Sequence, residues 1–503
     1  AARLDAALLD LRYRHLDDAR VRLRDLLGSQ CQTEAGKQAR LHLTALAGSA
    51  GDDRAAVAVL EKSCTASEKT RREELRGRYA EAETLYRNGK NDEAARAFYA
   101  IYRAAPIDLD VADDALYWAA YLLRASGRIR GALILLDEFV DRDELSSSDL
   151  YAAALWQRAD AHHAAFDYER ASAEYLELYT LSKGKRKLAA APGFDPALSP
   201  TYALRLAAES REMDHFYYDR GSEPGAATLF QRYAAVVRKD NDAASEAYVR
   251  AAQVYQRVGD AASAAKVHTQ WKNAHGRTAT AGYGIELQYA VAQAADQAGD
   301  KRAARAAYED VVAASRAQTP ALLAEKGAQA QLWLAEDLMA SSKLTEFSWG
   351  TGDTEAALGK EMDAYGKRVE PVMRAFEAVA ELDTRWTVAG LVRQGDVRRI
   401  VIDAILAAPI PTAFFSVLKL DDAKLGDMSA DERAKYAAQA LRDQLAPFLA
   451  EAGNLWQKAI DESEQRGLVD RWSKRARRSL AERFPERAPE VTSDEILVSE
   501  DAP

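Results

Sequence analysis

The chain has 503 residues, with 68 Lys and Arg against 78 Asp and Glu, a formal net charge of -10 with both signs interspersed. At roughly 100 to 200 residues per domain this length calls for several domains or a repeat array, and the absence of a concentrated basic face argues against nucleic acid as a partner. Abundant Ala, Leu, Glu and Arg, with only 13 Pro and 27 Gly, favour helix nearly throughout.

No apolar run approaches the roughly 20 residues that a membrane helix needs. The chain opens at Ala1 inside a helical pattern, so membrane association through a removed signal or lipid anchor, or through partners, stays open. The first helix pair runs from Leu8 to Leu27, with Asp17, Asp18 and Ala19 opening its second helix and Leu23 and Leu26 facing inward. The second, Ala39 to Cys64, repeats the form with Gly51, Asp52, Asp53, Ala56 and Leu60. Cys31 and Cys64 stand 33 residues apart, each just past a second helix. Stacking brings such ends together, so the two form either a disulfide, pointing to an oxidising compartment, or a pair of free thiols.

The third pair is the clearest. In Leu85 to Pro106, Gly89 closes one helix, Asn91 and Asp92 open the next, a small Ala94 marks the crossing, Phe98 and Ile101 face inward and Pro106 ends it. A small residue at a crossing lets two backbones approach, and the bulky one four places on fills the space between neighbours. Aligned on that small residue, the chain gives Ala19, Ala56, Ala94, Ala132, Ala171, Ala226, Ala264 and Ala304, at intervals of 37, 38, 38, 39, 55, 38 and 40. The residue four places on is Phe98, Leu136, Tyr175, Phe230, His268 and Tyr308 in the last six pairs. Gly127, Gly259 and Gly299 stand where Gly89 does, five residues before the alanine, where a tight left-handed turn is expected. The one long interval holds a Gly, Pro and Lys-rich stretch, residues 182–199, read as a loop inserted between repeats. Its KGKRK run, Lys183 to Lys187, offers a contact to an anionic partner or is simply a solvated loop.

This arrangement resembles the tetratricopeptide repeat, a helix-turn-helix unit, although a period near 38 exceeds the roughly 34 residues of the standard form. The resemblance implies an all-α, right-handed superhelical solenoid of about eight repeats over residues 1–319 that binds other proteins.

From Pro320 the spacing changes. Helices are expected at Pro320 to Ser342, Thr354 to Leu382, Trp386 to Ala407, Asp431 to Gly467 and Val469 to Phe484, with a connector near Phe347 to Asp353. Ala408 to Pro411, APIP, stops the third, since proline cannot continue a helix, and Pro447 stands inside the fourth. We read residues 320–489 as a helical module capping the last repeat, with Trp386, Trp456 and Trp472 in its core, and residues 490–503 as a flexible acidic tail.

Trp386 to Leu391, Ala408 to Pro411, Gly467 to Trp472, Leu480, Phe484 and Pro485 resemble the C-terminal part of tetratricopeptide-repeat proteins of myxobacterial and related deltaproteobacterial cell envelopes, some assigned to gliding motility. The resemblance implies a periplasmic or outer-membrane-associated scaffold and no activity. Between Thr412 and Met428 the chain departs from that pattern.

No convergent chemistry emerges. The seven histidines are His15, His42, His162, His163, His215, His268 and His275, and none sits at zinc-ligand spacing. His162 and His163 near Asp160 come closest to a metal site, yet neighbours on a helix point about 100 degrees apart. No cofactor or catalytic residue is expected. What the repeat alignment does single out is a concave groove lined by first helices: Tyr79, Glu83, Tyr86 and Arg87, then Asp114, Tyr117, Tyr121 and Arg124, then Trp156, Asp160 and His163. Tyr, Trp and Arg anchor protein interfaces, so the groove suits an extended peptide or a helix of another protein; alternatively several of these aromatics pack between helices. Two competing readings are a cell-wall hydrolase with a site at the junction near Trp349 to Trp386 and the nearby carboxylates Glu346, Asp353 and Glu355, and a subunit that self-assembles through exposed repeat ends.

Overall fold

The computed structural model describes residues 2–487 apart from 32, 48–52, 105–110, 185–187, 219–224, 278–279, 317–320, 351–353, 383, 412–413 and 415–427, with backbone alone for 2, 44, 47, 53–68, 281 and 321–323. The described residues contain no strand, only one isolated bridge, Ala191 with Phe194. Two compact units divide the chain, Ala1–Tyr233 and Ala234–Pro503. The expected boundary at 319/320 falls inside the second.

The first unit is built from α1 (Ala2–Arg12), α2 (Leu16–Gln30), α3 (Glu34–Ala47), α4 (Asp53–Arg87), α5 (Asn91–Ala104), α6 (Ala112–Ala125), α7 (Ile129–Val140), α8 (Tyr151–Ala164), α9 (Tyr168–Ser182) and α10 (Ser199–Tyr218); the division falls inside α11 (Gly225–Val236). Each helix from α1 to α9 packs on the next, and α6 also packs on α8. That is how stacked helix pairs share one interior.

Where the turn between the two helices of a pair is described, it is the same device. Gly89, Gly127, Gly259 and Gly299 have φ of 75°, 76°, 70° and 79°. The following amide reaches back to the carbonyl five residues earlier, as in Lys90 N to Leu85 O at 3.0 Å, Arg128 N to Leu123 O at 2.9 Å and Asp260 N to Tyr255 O at 2.9 Å. This left-handed closure satisfies carbonyls that the helix end leaves open. Arg14 and Phe166, also five residues before a crossing alanine, adopt φ of 60° and 63° without being glycine. Asp260 and Asp167 then cap the next helix, accepting from Ser263 N at 3.0 Å and Arg170 N at 3.4 Å.

Ala19, Ala94, Ala132, Ala171, Ala226, Ala264 and Ala304 are all buried, with Leu23, Phe98, Leu136, Tyr175, Phe230 and Tyr308 beside them; His268 is half-buried. The side chains of Ala56 and Leu60 lie outside the described residues. One expectation is corrected. The second helix of the second pair and the first helix of the third are a single 35-residue helix, α4, because no proline and no glycine before Gly77 interrupts them.

The second unit continues with α12 (Asn241–Arg257), α13 (Ala261–His275), α14 (Ala281–Gln297) and α15 (Lys301–Arg316), stacked as before. It closes with α16 (Ala321–Ser341), α17 (Glu355–Ala380), α18 (Thr387–Ala407), α19 (Ala430–Gln465) and α20 (Arg471–Arg483). Helix α16 serves both parts. Trp333 stacks on Tyr308 of α15 with ring centroids 4.5 Å apart, while Leu332 and Ala335 join a core shared with α17 to α20 and centred on the fully buried Trp456. Trp472 is buried in the same core and Trp386 half-buried against it. A capping box of Ser429 with Glu432 starts α19, and Pro447 stands inside it. The molecule is thus a tetratricopeptide-like helical-repeat protein with a C-terminal helical cap. Among the described residues no helix is long and apolar enough to cross a membrane.

Candidate interaction groove

The groove residues lie on the first helices of three successive repeats, α4, α6 and α8, and an aromatic run joins α4 to α6 through Phe98 of α5. Tyr79 meets Phe98 edge-on at 5.1 Å, Phe98 stacks on Trp118 at 5.7 Å, and Trp118 meets Tyr86 at 4.9 Å and Tyr121 at 5.9 Å. Tyr79, Glu83 and Tyr86 fall on one face because residues three and four apart on a helix are neighbours, and so do Asp114, Tyr117, Trp118 and Tyr121. Phe98 is fully buried, whereas Tyr79, Tyr86, Trp118 and Tyr121 are half-buried.

The α4/α6 end of this face is acidic. Burial, with Asp113 and Glu83 as like-charged neighbours, pushes the Asp114 carboxyl up to about 6. Burial and the same carboxylates also raise the Tyr79 hydroxyl far above its ordinary value. Glu83 lies 3.6 Å from Arg87, which is largely exposed. Ser148 donates to Asp113 at 2.5 Å.

The α6/α8 end is polar and closed. Arg124 donates to Gln157 and lies 3.4 Å from Asp160, whose other oxygen accepts from Tyr175 OH at 2.5 Å. Burial lifts the Asp160 carboxyl against the opposing pull of Tyr175 and Arg124. His163 Nδ1 lies 3.0 Å from Ser210 Oγ, whereas His162 faces Asp167 and Glu174, each at 3.7 Å. The adjacent histidines therefore do not converge on one point. Among the described residues no group of three or more His, Cys, Asp or Glu side chains is placed to hold a metal ion.

The inserted loop closes that end. Ala191, Pro192, Gly193 and Phe194 make a tight turn, with Phe194 N donating to Ala191 O at 2.9 Å and Gly193 at φ 72°. Proline before a positive-φ glycine suits such a turn. The turn is seated on residues assigned to the groove. Tyr117, 1% exposed, donates to Pro192 O at 2.6 Å. Gln157 Nε2 donates to Pro192 O at 3.4 Å and Gly193 O at 3.3 Å. The buried Phe194 ring sits 6.3 Å from Trp156, which also meets Tyr175 at 5.5 Å. The groove read from sequence is thus half open, at Tyr79, Glu83, Tyr86, Arg87, Asp114 and Tyr121, and half filled by the chain itself, at Tyr117 and Trp156. For Tyr117 the alternative reading, packing inside the protein, describes what is found; Trp156 is covered by Phe194 on one side and stays half-buried.

Sequence reasoning missed Trp118, Gln157 and the docking of Phe194. Trp118 follows Tyr117 directly and could have been found by extending the face one residue; no signal marked Gln157. Of the KGKRK run, Lys183 stands over the Tyr179 ring at 4.5 Å and the last three residues lie outside the description. Cys31, half-buried at the end of α2, is disulfide-bonded; the side chain of Cys64 is outside the described residues, as are Asp353 and the acidic tail. Glu346 and Glu355 are both exposed, Glu346 paired with Lys343 at 3.3 Å, and so form no buried carboxylate pair.

No known protein family's profile matches the chain, and no curated protein matches it. Solved structures similar to it include the P58(IPK) TPR domain, at 14% identity over 82% of this chain and 98% of that one with a TM-score of 0.22. A human IFIT1 dimer with m7Gppp-AAAA is similar at 13% identity over 80% and 86%, TM-score 0.24, and the APC/C hetero-tetramer Cut9-Hcn1 at 11% over 82% and 87%, TM-score 0.22. Scores this low superpose only parts of a helical path. What those proteins bind says nothing of this chain, whose architecture rests on its own turns and packing.

Proposed function

We propose that the protein is a non-enzymatic scaffold that binds a segment of another protein along α4 and α6. The observation that supports this reading is the half-exposed aromatic face of Tyr79, Tyr86, Trp118 and Tyr121 beside the carboxylates of Glu83, Asp113 and Asp114. Large rings with few rotamers supply contact area at small entropic cost, and the clustered acids suit a segment that sets Lys or Arg next to an apolar residue. A cation placed there stabilises ionised Asp114, so affinity falls as pH drops through about 6.

The test is affinity capture from the source organism with the wild-type chain and with a Tyr86→Ala, Asp114→Asn double variant of unchanged helicity. Proteins held by the first and lost by the second, more weakly at pH 5 than at pH 7.5, are the expected result. An identical set from both chains would remove the face from consideration.

The finer setting, a cell-envelope assembly in the periplasm or at the outer membrane and linked to motility, is supported by the likeness around Trp386, Pro409, Pro411 and Trp472 alone. Fractionation of the source cells tests it: recovery with cytosolic markers would reject it.

A further inference from the structure

The turn at Pro192 and Gly193 shows what chemistry the closed end of the groove accepts. Two successive backbone carbonyls take hydrogen bonds from Tyr117 and Gln157, and one aromatic ring lies against Trp156. The donors belong to α6 and α8, the acceptors to a segment entering between α9 and α10. The fit is close: a Cβ on Gly193 would stand 2.6 Å from Gln157 Nε2 and 3.1 Å from the Tyr121 ring. Tyr121 belongs to the open half as well, through Trp118, so the two halves form one continuous face.

We infer that the α6/α8 end is a binding site for a Pro-Gly-aromatic turn of a partner protein, and that the chain's own turn at residues 191–194 is its resident ligand. The inference deepens the scaffold reading and rests on it. A partner bearing such a turn displaces the loop and gains the whole face from Tyr79 to Trp156. Being tethered, the resident turn competes at an effective concentration on the order of millimolar, so an isolated turn binds the intact chain poorly. Removing the resident exposes the site.

The experiment uses the full chain and a fluorescein-labelled peptide of residues 188–198, read by anisotropy. Gly193→Val puts a branched side chain where φ is positive and pushes Gln157 Nε2 off its carbonyl partners, so it expels the turn; Phe194→Ala is the milder second variant. Both variants should bind the peptide at least tenfold more tightly than wild type. A peptide with Ala in place of Phe194 should lose most of that affinity. Peptide binding as tight to wild type as to the variants, or no binding to Phe194→Ala chain of wild-type helicity, overturns the inference. Those results leave the partner capture at Tyr86 and Asp114 unaffected. Conversely, capture that fails beside tight peptide binding condemns the scaffold reading and not the site.

Discussion

Of the eight tryptophans, three belong to the repeats, four lie within the cap and Trp333 stands on α16 where the two meet, and the groups are housed differently. In the repeats, Trp271 donates to Ser245 at 2.8 Å and Trp118 and Trp156 are half-buried, and Trp333 reaches back from α16 to donate to Asp296 at 2.9 Å. In the cap, the indole nitrogens of Trp349, Trp386, Trp456 and Trp472 are all buried without a hydrogen-bond partner among the described residues. A buried unsatisfied donor costs about 1–3 kcal/mol. The cap accepts that cost for bulk, and the rings bury large apolar areas; Arg393 and Arg471 add faces over Trp472 at 5.1 and 4.9 Å. Rings in the repeats keep a polar or open side. Identical residue types thus close one region and leave the other able to receive company.

The comparison breaks most readily at Trp456. Trp456→Ala should cost roughly 3–5 kcal/mol, and Trp456→Phe, which removes the unpaired N–H while keeping a ring, under about 1.5 kcal/mol. Tyr86→Ala on the open face should cost about 1 kcal/mol. Urea titrations followed by circular dichroism measure all three, and equal costs for Trp456→Ala and Tyr86→Ala would erase the distinction.

A second difference is covalent. We expect Cys31 to pair with Cys64 and to staple the first repeats, where no tryptophan occurs before Trp118. Cys31→Ser should then destabilise the oxidised chain by roughly 2–4 kcal/mol. A disulfide-linked dimer on a non-reducing gel would show that Cys31 pairs between chains instead.

These contrasts were unequally legible in the sequence. The buried alanines and the left-handed turns followed from spacing, because the small residue recurs in every repeat and the glycine in most of them. The cap's tryptophan core followed from the need to cover a last apolar face. Continuity of α4 was hidden by the repeat pattern, which places a break wherever a period ends, although the residues there favour helix. The docking of Pro192 and Phe194 was illegible for a different reason: it joins positions 75 residues apart, Tyr117 and Pro192, and periodicity carries no information about a segment that does not repeat. The Arg124 and Asp160 contact was not legible either, because spacing named both as groove residues without pairing them.

The open face should also respond to pH. Burial raises Asp114 to about 6, above its unfolded value, so its contribution to stability is present in full below the unfolded value and lost as pH rises through about 6. Asp114→Asn fixes the neutral form. It should gain stability at pH 7.5 relative to wild type, by less than either change above, and gain nothing at pH 4. A variant equally stable relative to wild type at both values would mean that the carboxyl is as well solvated as any surface acid.

The smallest effect concerns the backbone that both regions share. Arg14 and Phe166 occupy the left-handed position that glycine holds in four other repeats, a conformation costing an L residue about 1–2 kcal/mol, against the roughly 0.5–1 kcal/mol of extra chain entropy that glycine loses on folding. Arg14→Gly should therefore stabilise the chain by about 0.5–1 kcal/mol. Phe166→Gly should gain less, because its ring meets Tyr168 at 6.1 Å. The reverse change isolates the backbone: a Cβ on Gly127 would meet nothing within 4 Å, so the cost of Gly127→Ala, near 1 kcal/mol, comes from φ alone. If Arg14→Gly destabilises while Gly127→Ala does as expected, contacts of the Arg14 side chain, and not its turn, hold the first repeat in register.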